Sequence, residues 1–197
     1  MSSSISESAL LPADERRARL EQFCNTLRDE TFVGVPEVTA QQLRDKLDGG
    51  GGVVLVDVRT PEEQQVSMIP GPPGFVVTRA QFEADPGKWR GCQAVCSCTV
   101  GYRSGQYAQK LLTSSAVTDA GLSGAANLRG GILAYTQAGL PLVDPATGEA
   151  TQRVHVYAPR WAFHGEGYTP VAFNRPLLSM LKEAVFNALG LGKAKPV

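Results

Sequence analysis

The sequence has no excess of charge of either sign. Nineteen Lys and Arg residues balance nineteen Asp and Glu residues in a chain of 197, so the formal net charge is zero. A nucleic-acid-binding domain usually carries a basic face that raises its pI above about 9. The composition therefore argues against a nucleic-acid partner.

Long apolar runs are missing as well. No stretch approaches the roughly 18 consecutive apolar residues of a transmembrane helix, and the first residues, MSSSISESALLPADERRARLEQF, lack the apolar core of a secretory signal peptide. We therefore expect no membrane partner and a cytoplasmic location. The serine-rich start leaves an organellar transit peptide open as the alternative, although such peptides are poor in acidic residues.

Cysteine and histidine are too sparse to predict a disulfide framework or a zinc site. The cysteines are Cys24, Cys92, Cys96 and Cys98, and a chain of this size without a secretory signal does not need disulfides. Zinc needs about four ligands in paired spacing. No second pair follows the cysteine cluster, and His155 and His164 lie far downstream and too far apart in sequence. We expect no metal.

The middle of the chain alternates short apolar runs with helical patterns. Strands are predicted over 53–58, 93–98 and 125–128, and helices over 41–47, 105–115 and 132–139, with Thr39 as the N-cap of the first of these helices. The run VVLVDV is typical of a strand buried on both faces of a parallel sheet. The alternation predicts an α/β domain with a mainly parallel central sheet.

Two segments of different character flank this domain. Residues 1–35 form an N-terminal helical extension, with a charged helix over 13–30 whose apolar face is Leu20, Phe23, Cys24 and Leu27. Residues 146–197 form a C-terminal extension with a strand in TQRVHVYA and a helix in RPLLSMLKEAVFNALG. We expect its apolar residues to pack on the central domain, residues 36–145, rather than on a membrane or a partner.

The segment from Cys98 to Ser104 contains the candidate reactive cysteine and the residues predicted to surround it. Cys98 ends a predicted buried strand, and ligand sites of open α/β sheets lie at the carboxyl ends of strands. The following loop can direct backbone N–H groups inward as an anion-binding nest. Gly101 allows backbone angles closed to other residues, Arg103 adds a permanent charge, and a helix predicted about six residues after Cys98 adds positive potential.

These features favour a thiolate over a thiol, so Cys98 is the candidate nucleophile; the alternative is a buried structural cysteine. Cys96 lies two residues earlier and points to the same face of the strand, one step deeper. We interpret it as a core residue rather than a resolving thiol. Cys24 and Cys92 are interpreted as bystanders.

Three stretches, VVLVDVRTPEEQQVSMIPGP, CTVGYRSGQYAQKLL and NLRGGILAYTQAGLPLV, together resemble a rhodanese domain over residues 36–145. The resemblance implies a rhodanese-like fold with helices on both faces of the sheet. Two features depart from the family pattern. Ser67-Met68 stand where the family usually has Gly-His, for which we expect a repacked loop, and PGPPGFVVTRAQFEADPGKWRG follows no familiar consensus.

The resemblance also implies that the protein is a sulfurtransferase. The Cys98 thiolate would take sulfane sulfur from a small donor such as thiosulfate and pass it, as a persulfide, to cyanide or a thiol; a protein acceptor is compatible with this scheme. No metal or organic cofactor is required. Asp57 and Arg59 would brace or line the site, or only hold its loops by a salt bridge. The charged sulfur would be stabilised by the backbone amides of Thr99, Val100, Gly101, Tyr102, Arg103 and Ser104.

Two other functions compete with this prediction. Phosphatases and arsenate reductases of related fold place arginine six positions after the cysteine, whereas Arg103 lies five positions after Cys98. The shorter loop suits sulfur better than tetrahedral phosphate. Non-catalytic rhodanese-like modules, used for binding or regulation, often lack the cysteine that this chain keeps. For Arg103 the sequence leaves two roles, contact with the donor anion, which we favour, and fastening of the loop.

Overall fold

The computed structural model describes residues 2–4, 11–50, 52–157 and 161–173. The strands, numbered in chain order, are β1 (Ser2–Ser4), β2 (Glu37–Val38), β3 (Val53–Asp57), β4 (Val76–Thr78), β5 (Gln93–Ser97), β6 (Gly124–Leu128), β7 (Leu142–Val143), β8 (Ala150–Thr151), β9 (Arg153–His155) and β10 (Thr169–Phe173). The helices are α1 (Ala13–Thr26), α2 (Ala40–Asp48), α3 (Pro61–Gln64), α4 (Arg79–Ala84), α5 (Tyr102–Thr113), α6 (Ala116–Ala120) and α7 (Gly131–Gln137).

A five-stranded parallel sheet in the order β2-β6-β5-β3-β4 forms the centre of the fold, with helices flanking it. Every residue of β3 is buried, as the β-branched run predicts for a strand covered on both faces. β5 is buried after its first residue. The predicted α/β fold with a mainly parallel sheet is confirmed.

The register of the sheet brings the ends of three strands to one edge. Asp57 at the end of β3 lies opposite Ser97 at the end of β5, and Cys96 lies opposite Asn127 of β6. In parallel strands these are all carboxyl ends. The connections that follow the three strands therefore meet above the same edge of the sheet.

Threonine caps set the starts of several helices. Thr39 caps α2 through a capping box with Gln42, as predicted, and Thr60 caps α3 through a capping box with Glu63. The helix predicted over 13–30 begins as α1 and continues as a π-helical turn, Leu27–Thr31. Its predicted apolar face is buried against the central domain.

The described part of the C-terminal extension adds a second, small sheet. β9 pairs parallel with β10, and β10 pairs antiparallel with β1. The segment between β9 and β10 contacts the rest of the fold: the Gln137 side-chain amide donates to the Phe163 carbonyl at 2.7 Å, and the Tyr168 hydroxyl donates to the Leu140 carbonyl at 2.6 Å. The helix predicted in RPLLSMLKEAVFNALG lies outside the described residues. None of the helices within the described ranges has the length and apolar character needed to cross a membrane.

Candidate active site

Cys98 directly follows β5, and two donors point at its sulfur. The backbone N–H of Gly101 lies 3.2 Å from Sγ, and the Ser104 hydroxyl lies 3.3 Å from it. Hydrogen bonds to sulfur stabilise a charged form more than a neutral one. The side chain of Cys98 is fully buried. The arrangement suits a sulfur that carries negative charge inside the protein.

Gly101 makes the sharp turn between the cysteine and α5. Its φ is +93°, in the left-handed region that glycine tolerates, and it is the N-cap of α5. The helix consequently starts at Tyr102, earlier than the sequence predicted. Arg103 and Ser104 belong to the first helical turn rather than to a longer loop, and the helix presents the Ser104 hydroxyl to Cys98.

The Gly130-Gly131 turn ties the cysteine loop, residues 98–101 between β5 and α5, to α7. The N–H groups of Ile132 and Leu133 in the first turn of α7 donate to the carbonyls of Cys98 at 2.9 Å and Thr99 at 3.2 Å. A Cβ on Gly131, whose φ is +59°, would lie 2.3 Å from the Cys98 carbonyl oxygen. Glycine is required there because the two backbones approach so closely.

Asn127 of β6 holds the same loop from the neighbouring strand. Its side-chain amide donates to the Gly101 carbonyl at 3.0 Å, and the residue is buried. Sequence reasoning missed this residue. A single asparagine in an apolar strand carries no spacing signal, and only the strand register brings it to Gly101.

The Arg103 guanidinium is paired with Glu63 of α3. Nη1 donates to Oε2 at 2.7 Å and Nη2 to Oε1 at 3.0 Å, while Nη2 lies 3.4 Å from the Thr99 hydroxyl. Glu63 is buried, and it also accepts the Thr60 N–H in the capping box. Of the two roles left open for Arg103, the geometry favours fastening of the loop over contact with an anion.

Two residues of the C-terminal extension complete this cluster. Nδ1 of His155 lies 3.1 Å from Glu63 Oε1, and the ring of Tyr157 lies 5.4 Å from the Arg103 guanidinium. Burial opposes ionisation of Glu63, but His155 and Arg103 outweigh it and hold the pKa of that carboxyl far below its usual range. Sequence reasoning missed both residues, because nothing in HVYA signals a contact with a distant glutamate.

Asp57 and Arg59 form a buried ion pair beside the site. Arg59 Nη2 donates to Asp57 Oδ2 at 2.6 Å and to the Ser67 carbonyl at 2.8 Å, and Nη1 donates to the Glu63 carbonyl at 3.3 Å. This geometry braces the segment that carries Glu63. At the Ser67-Met68 position, the Met68 backbone pairs with Val143.

The other three cysteines differ in environment from Cys98, and all four are free thiols. Cys96 is fully buried, as expected of a core residue, and burial raises the pKa of its thiol. Burial also raises the pKa of the Cys24 thiol to about 12. Cys92 is half-buried. Neither Cys24 nor Cys96 is suited to form a thiolate at neutral pH.

Comparison with known proteins gives a family match and curated relatives. The sequence matches the Rhodanese-like domain family over residues 39–138. It is 32% identical over 122 residues to the probable adenylyltransferase/sulfurtransferase MoeZ of Mycobacterium tuberculosis, covering 59% of this chain and 29% of that protein. It is 32% identical over 114 residues to a sulfurtransferase of Allochromatium vinosum, covering 56% of this chain and 97% of that one. The chain thus spans less than a third of the length of the first relative.

Among solved structures, the thiosulfate sulfurtransferase of Pseudomonas aeruginosa aligns with a TM-score of 0.46 and 21% identity, over 68% of this chain and 24% of that one. A rhodanese-like domain protein of Staphylococcus aureus aligns with a TM-score of 0.38 and 25% identity, over 51% of this chain and 91% of that one.

Proposed function

Because the chain belongs to the rhodanese-like family, we propose that it is a sulfurtransferase that carries sulfane sulfur as a persulfide on Cys98. The observation that carries this proposal is the pair of donors, Gly101 N–H and the Ser104 hydroxyl, that point at Cys98 Sγ. The names of two relatives, which describe sulfurtransferases, support it.

In the first step the Cys98 thiolate attacks the outer sulfur of thiosulfate. A new S–S bond forms to Cys98 and the S–S bond of thiosulfate breaks, so that sulfite leaves with the electron pair and the enzyme holds a persulfide anion. The helix α5 N-terminus and the inward N–H of Gly101 offset the negative charge of donor and product. The Ser104 hydroxyl is the second donor to the reacting sulfur.

In the second step a nucleophile takes the outer sulfur. Cyanide attacks it, thiocyanate leaves, and the Cys98 thiolate is regenerated; a thiolate acceptor leaves instead as its own persulfide. The segment Thr99–Ser104 surrounds the transferred sulfur. Arg103, held by Glu63, fixes the shape of this segment rather than binding the donor. The cycle uses no organic cofactor or metal.

The experiment is a steady-state assay of thiocyanate formation from thiosulfate and cyanide. Cys98→Ser is expected to lose essentially all activity, because the hydroxyl cannot form the persulfide. Cys92→Ser is the matched control, since Cys92 lies at the opposite end of β5, and it should keep a near-normal rate. Residual turnover of more than a few per cent in Cys98→Ser would contradict the proposal.

One observation favours a second function, a non-catalytic rhodanese-like module used for binding. The side chain of Cys98 has 0% exposure, so a donor cannot reach the sulfur in the conformation that the structure holds. A binding module would show no thiocyanate formation with any variant or with the natural sequence. Sulfur transfer by the natural sequence would exclude this function.

A further inference from the structure

The carboxylate of Glu63 joins three parts of the fold that are distant in sequence. It accepts the Thr60 N–H at 2.8 Å at the start of α3, and it accepts both Nη atoms of Arg103 in the first turn of α5. Nδ1 of His155, in β9 of the second sheet, lies 3.1 Å from Oε1, the oxygen that also accepts Arg103 Nη2. The side chains of Glu63 and His155 are each 3% exposed. A carboxylate buried to this degree depends on such partners to carry its charge.

The orientation of the Arg103 side chain depends in turn on Glu63. Within the described ranges, the buried Nε of Arg103 has no hydrogen-bond partner, and the Thr99 hydroxyl lies 3.4 Å from Nη2. The two shorter bonds to Glu63, at 2.7 and 3.0 Å, therefore set the orientation of the guanidinium. Arg103 directly precedes Ser104, whose hydroxyl lies 3.3 Å from Cys98 Sγ. A displaced Glu63 carboxylate would disturb the first turn of α5, which carries one of the two donors to the sulfur.

The His155 ring is itself held by the second sheet. It stacks on Phe173 of β10 with 4.8 Å between the ring centroids, and it meets Tyr157 edge-on at 5.4 Å. β9 pairs parallel with β10 beneath these rings. Burial alone would raise the pKa of Glu63, but His155 and then Arg103 reverse this effect and hold that pKa far below its usual range. His155 is thus a packed side chain that presents a nitrogen to a buried, ionised carboxylate.

From this chain of contacts we infer that His155 is a positioning residue for the proposed sulfur transfer. It fixes the Glu63 carboxylate, and that carboxylate fixes Arg103. The first turn of α5 thereby keeps the Ser104 hydroxyl against Cys98 Sγ. β9 lies outside the part of the chain that matches the rhodanese-like family, so the second sheet contributes to a site that the matched domain otherwise builds. The inference rests on the proposed function for its rate measurements, whereas the contacts concern the geometry around the sulfur.

Two substitutions in the full chain separate the nitrogen of His155 from its ring. His155→Phe keeps a ring that can stack on Phe173 but has no donor for Glu63, whereas His155→Asn loses the ring and keeps an N–H donor at the position of Nδ1. The rate of persulfide formation from thiosulfate is read by intact mass, at a temperature where urea unfolding shows each variant to be folded. The rate is expected to fall on the order of ten-fold in His155→Phe, because a bond to a charged group is lost. In His155→Asn most of the natural rate should return.

A double-mutant cycle with Glu63→Gln tests whether His155 acts through Glu63. In that background His155→Phe should slow persulfide formation by less than about two-fold, because the carboxylate that His155 fixes is already gone. Val154→Ala is the matched control, since Val154 adjoins His155 in β9, is fully buried and points to the other face of the strand. It should lower stability and leave the rate of the folded protein unchanged. Independent effects of His155→Phe and Glu63→Gln, or the same loss of rate in Val154→Ala, would overturn the inference. If Glu63→Gln does not fold, an equal loss in His155→Phe and His155→Asn overturns it.

The backbone amide signals of Gly101 and Ser104, the two residues that donate to Cys98 Sγ, separate this inference from sulfur transfer. In a proton–nitrogen correlation spectrum they should move in His155→Phe, return in His155→Asn and stay in place in Val154→Ala. These shifts, with no persulfide in the natural sequence, would support the positioning role and remove sulfur transfer as the function. Equal rates of persulfide formation in the natural sequence and His155→Phe would leave sulfur transfer standing and remove the positioning role.

Discussion

At the scale of the residue, the pair of Arg103 and Glu63 determines how firmly the cysteine loop is held. The Glu63 side chain is 3% exposed and that of Arg103 is 27% exposed. Removing one partner of a buried pair leaves a charge without compensation, which typically costs about 3–5 kcal/mol. The pair also links α3 to α5, so its loss affects the position of Cys98 as well as stability.

Arg103→Ala is expected to lower the free energy of unfolding by about 2–4 kcal/mol, because Glu63 keeps His155 and the Thr60 N–H as partners. Arg103→Lys should lose nearly as much, since lysine cannot reproduce the two parallel bonds. Both variants should lose sulfur transfer together with stability. Urea unfolding beside thiocyanate kinetics measures both quantities.

Arg19→Ala is the control for this pair, because Arg19 bonds Glu15 on the surface with both side chains roughly two-fifths exposed. This control variant is expected to lower the free energy of unfolding by no more than about 0.5 kcal/mol. If Arg103→Lys melts normally and only its use of thiosulfate is impaired, Arg103 contacts the donor anion and the fastening role is wrong.

At the scale of the element, the register of β6 against β5 positions the loop that follows β5. Cys96 pairs with Asn127 across the two strands, and this places the Asn127 amide at the Gly101 carbonyl. Since Gly101 presents its N–H to Cys98 Sγ, Asn127 acts on the sulfur through Gly101. It is a positioning residue in a neighbouring strand.

Asn127→Ala should lower the rate of thiocyanate formation several-fold and the free energy of unfolding by about 1–2 kcal/mol, the cost of one buried hydrogen bond. The kinetic effect distinguishes positioning from packing. The loss of thiocyanate formation in Asn127→Ala should be larger than the loss in Gln93→Ala, a change at the end of β5 far from Cys98. Equal rates in the two variants would show that Asn127 only packs.

The elements that the sequence predicts are those with a local cause. The β-branched run of β3, the apolar face of α1 and the Thr39 cap each follow from a few neighbouring residues. Cys98 could also be singled out, because strand, glycine and helix follow one another along the chain. The contacts of Asn127 with Gly101 and of His155 with Glu63 depend on register and tertiary packing, which no local pattern encodes.

At the scale of the whole molecule, His164 lies where the C-terminal extension meets α1. Its carbonyl accepts a hydrogen bond from Arg16 Nε at 3.0 Å, and the residue is buried. Burial first, and then the charge of Arg16, lower the pKa of His164 to about 4. Between about pH 4 and the ordinary pKa of histidine, the unfolded chain therefore binds a proton that the folded protein does not.

Folding stability is expected to fall as the pH is lowered from about 6.5 towards 4, because the neutral form of His164 is favoured only in the folded state. The cost of keeping His164 neutral in the folded protein is absent above that window and reaches about 3 kcal/mol at its lower end. Urea unfolding at neutral pH and at about pH 4.5 measures the loss. His164→Gln should lose less over the same interval, and an equal loss in both proteins would contradict the assignment to His164.

The most direct test of the central claim is the mass of the intact protein after brief exposure to thiosulfate and removal of the excess. The natural sequence is expected to gain the mass of one sulfur atom, located on Cys98 by peptide mapping, and to lose it on addition of cyanide with one thiocyanate released per sulfur. Cys98→Ser should gain nothing. A protein that gains no sulfur, or gains it on Cys24, Cys92 or Cys96 instead, would contradict sulfur transfer through Cys98.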